Sequence, residues 1–137
     1  MTKQRYELVL FDLDGTLVDS VPDLTTALNL MLDERSLPKA TELSVRQIIG
    51  EGQRSLVERA LVRAQRQASG EPSDPSRGHG DGSIATNVLD DAVLSFRRHY
   101  SANLCVKTQI YTGVVEVLRT LSAHKTLAVA TNKPGRW

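Results

Sequence analysis

The chain is poor in cysteine and in aromatic residues. Of its 137 residues, one is cysteine (Cys105) and 4% are aromatic. A single cysteine excludes an intramolecular disulfide and a thiolate metal cluster, so we expect Cys105 to be a buried, inert thiol. Neither sign of charge dominates, because 17 Lys and Arg stand against 16 Asp and Glu. Without a basic block, nucleic acid and anionic membranes are not expected partners.

Long hydrophobic runs are also missing. The longest strongly apolar stretch is Leu8–Phe11, far short of the roughly 20 residues that a membrane-spanning helix needs. Residues 1–5 are polar and lack the apolar region of a secretory signal. These features predict a cytoplasmic protein without a membrane segment.

Two short apolar runs, residues 6–11 and 126–130, predict strands. Their continuous rather than alternating apolarity is typical of strands covered on both faces, as in a parallel sheet. Apolar residues at helical spacing precede the second run (Val114, Val117, Leu118 and Leu121). A helix that leads into a strand beside the first one is half of a doubly wound α/β unit.

The segment between these strands predicts four helices. The first begins at Ser20, whose hydroxyl is the expected cap, with Asp23 in the first turn. The second begins at Ser44 and ends at Gly50 or Gly52. Apolar stripes mark the first, third and fourth helices: Leu24, Ala27, Leu28, Met31 and Leu32; Leu56, Val57, Ala60, Leu61 and Ala64; and Leu89, Ala92, Val93, Phe96 and Tyr100.

These elements predict an α/β fold with an inserted helical module. Residues 1–19 and 108–137 form a partial α/β core, and residues 20–107 form the helical insertion. Within the insertion, residues 69–83 contain four Gly, two Pro and four Ser. Such a composition cannot pack a core and predicts a flexible loop.

Two carboxylates, Asp12 and Asp14, follow the first predicted strand, where open α/β sheets bind ligands. Residues two apart on an extended backbone point the same way, so both side chains can face one site. Like charges this close repel each other unless a cation lies between them or one carboxyl is protonated. Mg²⁺ suits such a site because it takes oxygen ligands and shares substrate phosphate. Taken alone, the pair is equally compatible with an Asp-Gly turn that has no catalytic role.

The full string Phe11-Asp12-Leu13-Asp14-Gly15-Thr16-Leu17-Val18-Asp19-Ser20 resembles the first motif of the haloacid-dehalogenase-like phosphohydrolases. It is similar to the subclass that inserts a helical cap directly after this motif. Residues 37–38, 48–52 and 55–61 resemble the cap of phosphoglycolate phosphatases. Residues 111–114 and 129–134 resemble the return into the core and the second motif. The resemblance implies a partial Rossmann-like core of the haloacid-dehalogenase type, with residues 20–107 as the cap.

The resemblance also implies roles for individual residues. Asp12 would be the nucleophile that forms an aspartyl-phosphate, and also a Mg²⁺ ligand. Asp14 would be the general acid and base and would bind Mg²⁺ through its backbone carbonyl. Thr131 and Asn132 would hold the oxygens of the transferring phosphoryl group, although strands also end in Thr or Asn for reasons of turn geometry alone.

The implied reaction is Mg²⁺-dependent hydrolysis of a small phosphorylated metabolite, 2-phosphoglycolate, to glycolate and phosphate. Asp14 favours phosphate chemistry because the dehalogenase branch of the superfamily lacks this second aspartate. A sugar-phosphate phosphatase or a phosphomutase of the same superfamily is the alternative.

The cap supplies a further hypothesis for substrate binding. Gly50, Gly52 and Arg54 would form a loop that closes over the substrate, with the Arg54 guanidinium facing its carboxylate. Alternatively, Arg54 lies on the solvated face of the third helix. Lys133 directly follows the second motif and is not expected to be the family's catalytic lysine, which belongs to a later motif. The three histidines share no ligand spacing, so zinc is not expected.

The sequence ends shortly after the second motif, before the lysine and the acidic residues of the family's later motifs. We therefore expect a truncated chain with little or no phosphatase activity, and a non-catalytic remnant is the alternative. A phosphate-release assay with and without Mg²⁺ tests this expectation. Mg²⁺-dependent turnover near that of a full-length relative would contradict it.

Overall fold

The computed structural model describes residues 6–70 and 84–133. Within these ranges the elements are β1 (Leu8–Phe11), β2 (Val18–Asp19), α1 (Val21–Asp33), α2 (Glu42–Arg46), α3 (Gln53–Ala68), α4 (Thr86–Ala102), β3 (Gln109–Ile110), α5 (Val114–Ser122) and β4 (Thr126–Val129). β1 and β4 pair in parallel along their whole length, which confirms the predicted α/β arrangement. β2 and β3 form a short antiparallel pair that the sequence pattern did not predict.

Helices α1 to α4 pack around one hydrophobic core. Every member of the buried apolar cluster lies between Val21 and Tyr100. The stripes predicted for α1, α3 and α4 are the faces turned into this core, and α1 contacts the other three helices. The largest fully buried side chains are Tyr100, Phe96, Leu28, Met31, Leu32 and Leu61. No helix in the described ranges is long and apolar enough to cross a bilayer.

The α/β part is much less buried. Leu8, Leu10 and Val129 are 51%, 60% and 52% exposed, and α5 contains no buried residue. The prediction of strands covered on both faces is therefore wrong for the described residues. A single crossover helix can cover only one face of the β1–β4 pair, and Leu8 and Leu10, which share a face of β1, are both more than half exposed.

Three local predictions also differ from the structure. Ser20 precedes α1, but its backbone is helical and its buried hydroxyl makes no capping hydrogen bond; an effective cap requires an extended backbone. α2 begins at Glu42 rather than Ser44, because Thr41 and Ser44 form a reciprocal capping box, and it ends at Arg46 rather than at Gly50 or Gly52. Cys105 is exposed rather than buried, since it lies in the turn after α4. Residues 71–83 of the predicted loop lie outside the described residues.

A buried carboxylate joins the two points where the chain crosses between the helical cap and the α/β part. Asp23, in the first turn of α1, is 1% exposed. Its carboxylate accepts the backbone N–H of Lys107 at 2.9 Å, the N–H of Thr108 at 2.9 Å and the Thr108 hydroxyl at 2.6 Å. The start of the cap is thereby fixed to the segment that leaves it.

The substitution Asp23→Asn should weaken this junction, because the amide loses the charge and turns one acceptor into a donor that faces other donors. We expect the free energy of unfolding to fall by about 2–3 kcal/mol, measured by urea denaturation. Asp33→Asn, at the exposed end of the same helix, is the matched control and should change it by less than about 0.5 kcal/mol. Equal losses in the two variants would contradict the role of Asp23.

A second carboxylate joins α1 to α4 at the far end of the cap. Glu34, directly after α1, accepts hydrogen bonds from the Ser95 hydroxyl, from Arg98 and from His99. The bond from Ser95, followed by the bond from His99, holds the pKa of Glu34 at about 2 instead of 4.5. The ionised carboxylate is therefore favoured in the folded protein.

Because the folded pKa is below the unfolded one, Glu34 stabilises the fold above pH 4.5, and this contribution is lost as the pH falls toward 2. We expect Glu34→Gln to melt a few degrees lower than the unmodified chain at pH 7. The difference should shrink as the pH falls from 4.5 toward 2. Melting curves followed by circular dichroism test this, and a difference independent of pH would contradict it.

Candidate active site

The loop after β1 is a tight turn that leaves the strand end open. The Leu13 carbonyl accepts the N–H groups of Leu17 at 3.0 Å and Val18 at 3.2 Å, and the chain reverses within these few residues. Gly15, at the centre of the turn, has φ +81°, in the left-handed region that disfavours residues with a side chain. The turn therefore depends on glycine at this position.

Asp12 and Asp14 both follow this strand end and line one cleft. Oδ1 of Asp12, which is exposed, accepts the N–H of Leu13 at 2.8 Å. Asp14 is less exposed (21% for its side chain), and its Oδ1 lies 3.2 Å from Nζ of Lys133. The structure thus brings both carboxylates to the site where the sequence places them.

The end of β4 forms the other side of the cleft. Because β1 and β4 are parallel, their carboxyl ends meet at the same edge of the sheet. The Thr131 Oγ1 accepts the backbone N–H of Lys133 at 3.1 Å. Nδ2 of Asn132 donates to the Gly50 carbonyl at 3.2 Å, which joins the strand end to the cap.

Cap residues lie over these strand ends. The described lining of the cleft is Asp12, Asp14, Leu24, Ile49, Gly50, Gly52, Gln53, Leu56, Tyr100, Thr131, Asn132 and Lys133. Gly52 has φ +86° and precedes the first residue of α3, so the loop bends sharply beside the cleft. Of the site residues proposed from sequence, all but Arg54 lie in this lining.

Arg54 has a different position from the one hypothesised. Its Nη1 pairs with Asp90 of α4, and the side chain is 53% exposed. The structure therefore corrects the expectation that Arg54 faces a substrate carboxylate. The reason is geometric: α3 begins at Gln53, and the next position along the helix points toward α4 and solvent rather than into the cleft.

The cap is also tied to the core away from the cleft. Nη2 of Arg46, in α2, lies 2.7 Å from the Asp19 carboxylate in β2. This hydrogen bond holds the pKa of Asp19 below its usual value and, with a smaller contribution from Tyr111, raises the pKa of Arg46. Together with the Asn132–Gly50 contact, the pair joins the cap to the core.

Comparison with known proteins agrees with this architecture. Residues 9–137 match the family of haloacid dehalogenase-like hydrolases. The chain belongs to this family.

Relatives of this haloacid dehalogenase-like chain include phosphoglycolate phosphatases. It is 39% identical over 134 residues to that of Haemophilus influenzae and 42% identical over 131 residues to phosphoglycolate phosphatase 1 of Pseudomonas aeruginosa. The alignments cover 96% and 95% of this chain but 54% and 43% of the relatives. A crystal structure of a predicted phosphoglycolate phosphatase from Haemophilus somnus superposes with a TM-score of 0.78 at 37% identity, over 95% of this chain and 53% of that one. The chain spans about half the length of the curated relatives it matches.

Lys133 and Tyr100 are among the cleft residues that were not identified as site residues from the sequence. Lys133 was set apart from the family's catalytic lysine, and Tyr100 was assigned to the apolar stripe of α4. Nζ of Lys133 lies 2.7 Å from the Tyr100 hydroxyl oxygen. The usable signal for Lys133 was its place directly after Thr131 and Asn132 in the segment that follows β4. No sequence signal separated Tyr100 from its core neighbours.

The oxygen atoms that the cleft offers as ligands suit a magnesium ion. Within the described residues no group of three or more His, Cys, Asp or Glu side chains could hold a metal. Mg²⁺ does not require one, because it is commonly bound by one or two carboxylates together with water and substrate phosphate. Asp12 and Asp14 offer oxygen ligands only, in one cleft.

Proposed function

We propose that this haloacid dehalogenase-like chain carries the nucleophile side of a Mg²⁺-dependent phosphatase site for small phosphomonoesters, with 2-phosphoglycolate as the substrate. The observation that carries the proposal is the convergence of Asp12, Asp14 and Thr131 in one cleft beneath the cap. The names of the relatives from Haemophilus influenzae and Pseudomonas aeruginosa support the choice of substrate.

Asp12 and Asp14 have different roles in the proposed reaction. A carboxylate oxygen of Asp12 attacks phosphorus while the bond from phosphorus to the ester oxygen breaks, and Asp14 donates a proton to the leaving glycolate oxygen. Asp14 then takes a proton from water, which attacks the aspartyl-phosphate, releases phosphate and restores Asp12. Covalent catalysis replaces one very slow displacement by two easier ones.

Neighbouring groups would orient the phosphoryl group and balance its charge. The Thr131 oxygen already accepts the Lys133 N–H, so its own hydroxyl proton is available for a phosphoryl oxygen. The Asn132 amide has two N–H donors and uses one on Gly50. Mg²⁺, held by the Asp12 carboxylate and the Asp14 backbone carbonyl, would supply the positive charge that lets an anionic phosphate approach two aspartates.

Beryllofluoride tests the nucleophile without requiring turnover, because it binds a carboxylate oxygen in place of a phosphoryl group. With Mg²⁺ present, we expect fluorine-19 NMR to show a bound signal for the chain. Asp12→Asn, which keeps the shape of the side chain, should abolish that signal. Asp33→Asn, an exposed aspartate outside the cleft, should retain it.

Phosphate release from 2-phosphoglycolate gives an independent readout. We expect slow, Mg²⁺-dependent release that falls at least about 100-fold in Asp12→Asn, the scale seen when a catalytic group is removed. A bound beryllofluoride signal that survives in Asp12→Asn would contradict the assignment of the nucleophile. Absence of both the signal and the release in the unmodified chain would favour the non-catalytic alternative.

A further inference from the structure

A single ammonium group lies inside the cleft. Lys133 is the one cation among the described residues that line it, and its side chain is 15% exposed. Its Nζ lies 3.2 Å from Oδ1 of Asp14 and 2.7 Å from the hydroxyl oxygen of Tyr100. The group therefore bridges the core carboxylate and the cap.

Tyr100 is a rigid partner for this ammonium. The residue is 1% exposed, and its ring stacks on Phe96 with 5.6 Å between the centroids. Nζ of Lys133 lies 5.2 Å from the centre of the Tyr100 ring, within the range of a cation–π contact. Because α4 fixes the tyrosine in the cap core, the closed cap determines where the ammonium lies.

The ammonium of Lys133 has two polar partners among the described residues. Its Nζ contacts the Asp14 carboxylate and the hydroxyl oxygen of Tyr100. An ammonium has three N–H donors, and the described contacts use two of them, on Asp14 and Tyr100. One donor remains for an oxygen of a bound molecule.

We propose that Lys133, positioned by Tyr100, binds a second anionic group of the substrate and thereby selects phosphomonoesters with a carboxylate close to the phosphate. The inference rests on the proposed function and adds the residue that recognises the part of the substrate that is not transferred. Lys133 takes the role first hypothesised for Arg54, which pairs with Asp90 instead. A charge-assisted hydrogen bond of this kind corresponds to a preference of about tenfold or more.

The test compares two ligands of matched size in the presence of Mg²⁺. 2-Phosphoglycolate and ethyl phosphate share the phosphate and the two-carbon chain, but the second ends in a methyl group instead of a carboxylate. Dissociation constants for both, measured by isothermal titration calorimetry, are compared among the unmodified chain, Lys133→Met, Lys133→Arg and Tyr100→Phe. Lys39→Met, which removes an exposed lysine outside the cleft, is the charge-matched control.

The unmodified chain and Lys39→Met should bind 2-phosphoglycolate at least about tenfold more tightly than ethyl phosphate. Lys133→Met should weaken the binding of both anions, but it should bring their two affinities within about twofold of each other, because only 2-phosphoglycolate loses a direct partner of its carboxylate. Tyr100→Phe keeps the buried ring and should reduce the preference about three- to fivefold, because the ammonium loses its fixed partner. Lys133→Arg should retain part of the preference. Circular dichroism checks that each variant folds. If Lys133→Met does not fold, the preferences measured for Lys133→Arg and Tyr100→Phe test the proposal instead.

Contrary outcomes separate the two proposals. Equal affinity of the unmodified chain for both ligands would overturn the inference and leave the proposed function intact. A parallel loss of affinity for both ligands in Lys133→Met that leaves the preference unchanged would show that Lys133 binds the phosphate, which also overturns the inference. An unchanged preference in Tyr100→Phe would overturn the positioning role of Tyr100. Failure of the unmodified chain to bind either ligand would count against the proposed function itself.

Discussion

The arrangement of the whole molecule depends on the buried carboxylate of Asp23. Removing a charge from water is costly, and this carboxylate is stable only because the backbone of Lys107 and the backbone and hydroxyl of Thr108 donate to it. Those donors belong to the segment that leaves the cap, whereas Asp23 belongs to the segment that enters it. The adjacent β2–β3 pair joins the same two segments through backbone hydrogen bonds. The junction lies where the chain enters and leaves the cap, and Leu24 of α1 and Tyr100 of α4 line the cleft together with residues that follow β1 and β4.

Stability is distributed unevenly across the molecule. The cap holds the contiguous hydrophobic core, while the β1–β4 pair exposes apolar side chains, including Leu10 at 60%. Two strands are marginally stable without further packing. The ends of β1 and β4 are therefore held partly from the cap side, through Asn132 on Gly50 and Lys133 on Tyr100. The positions of Asp12 and Asp14 are therefore linked to the position of the cap.

Features that depend on residue type and local spacing could be predicted from the sequence, whereas contacts between residues far apart in the chain could not. The helical stripes and the acidic end of β1 follow from periodicity and from residue type, so α1, α3, α4 and the cleft position of Asp12 could be predicted. Asp23 looked like an ordinary first-turn acid, because its partners lie more than 80 residues away. Likewise, nothing near Arg54 indicated Asp90 as its partner. The exposure of β1 could not be predicted. Apolar side chains favour burial, but they do not show whether another element is present to cover them.

The charges of the cleft connect cap and core in the chemistry as well as in the structure. The described lining contains two carboxylates and one ammonium, so it is unfavourable to an anionic substrate until further positive charge enters. A metal held by the Asp12 carboxylate and the Asp14 backbone carbonyl would supply that charge, and Lys133 would keep its contact with the Asp14 carboxylate while its remaining donor faces the substrate. The Tyr100 hydroxyl, on a buried ring that stacks on Phe96, gives this ammonium a fixed partner in the cap. The proposed recognition of the substrate therefore depends on contact between a tyrosine of the cap and a lysine that follows the core strand β4.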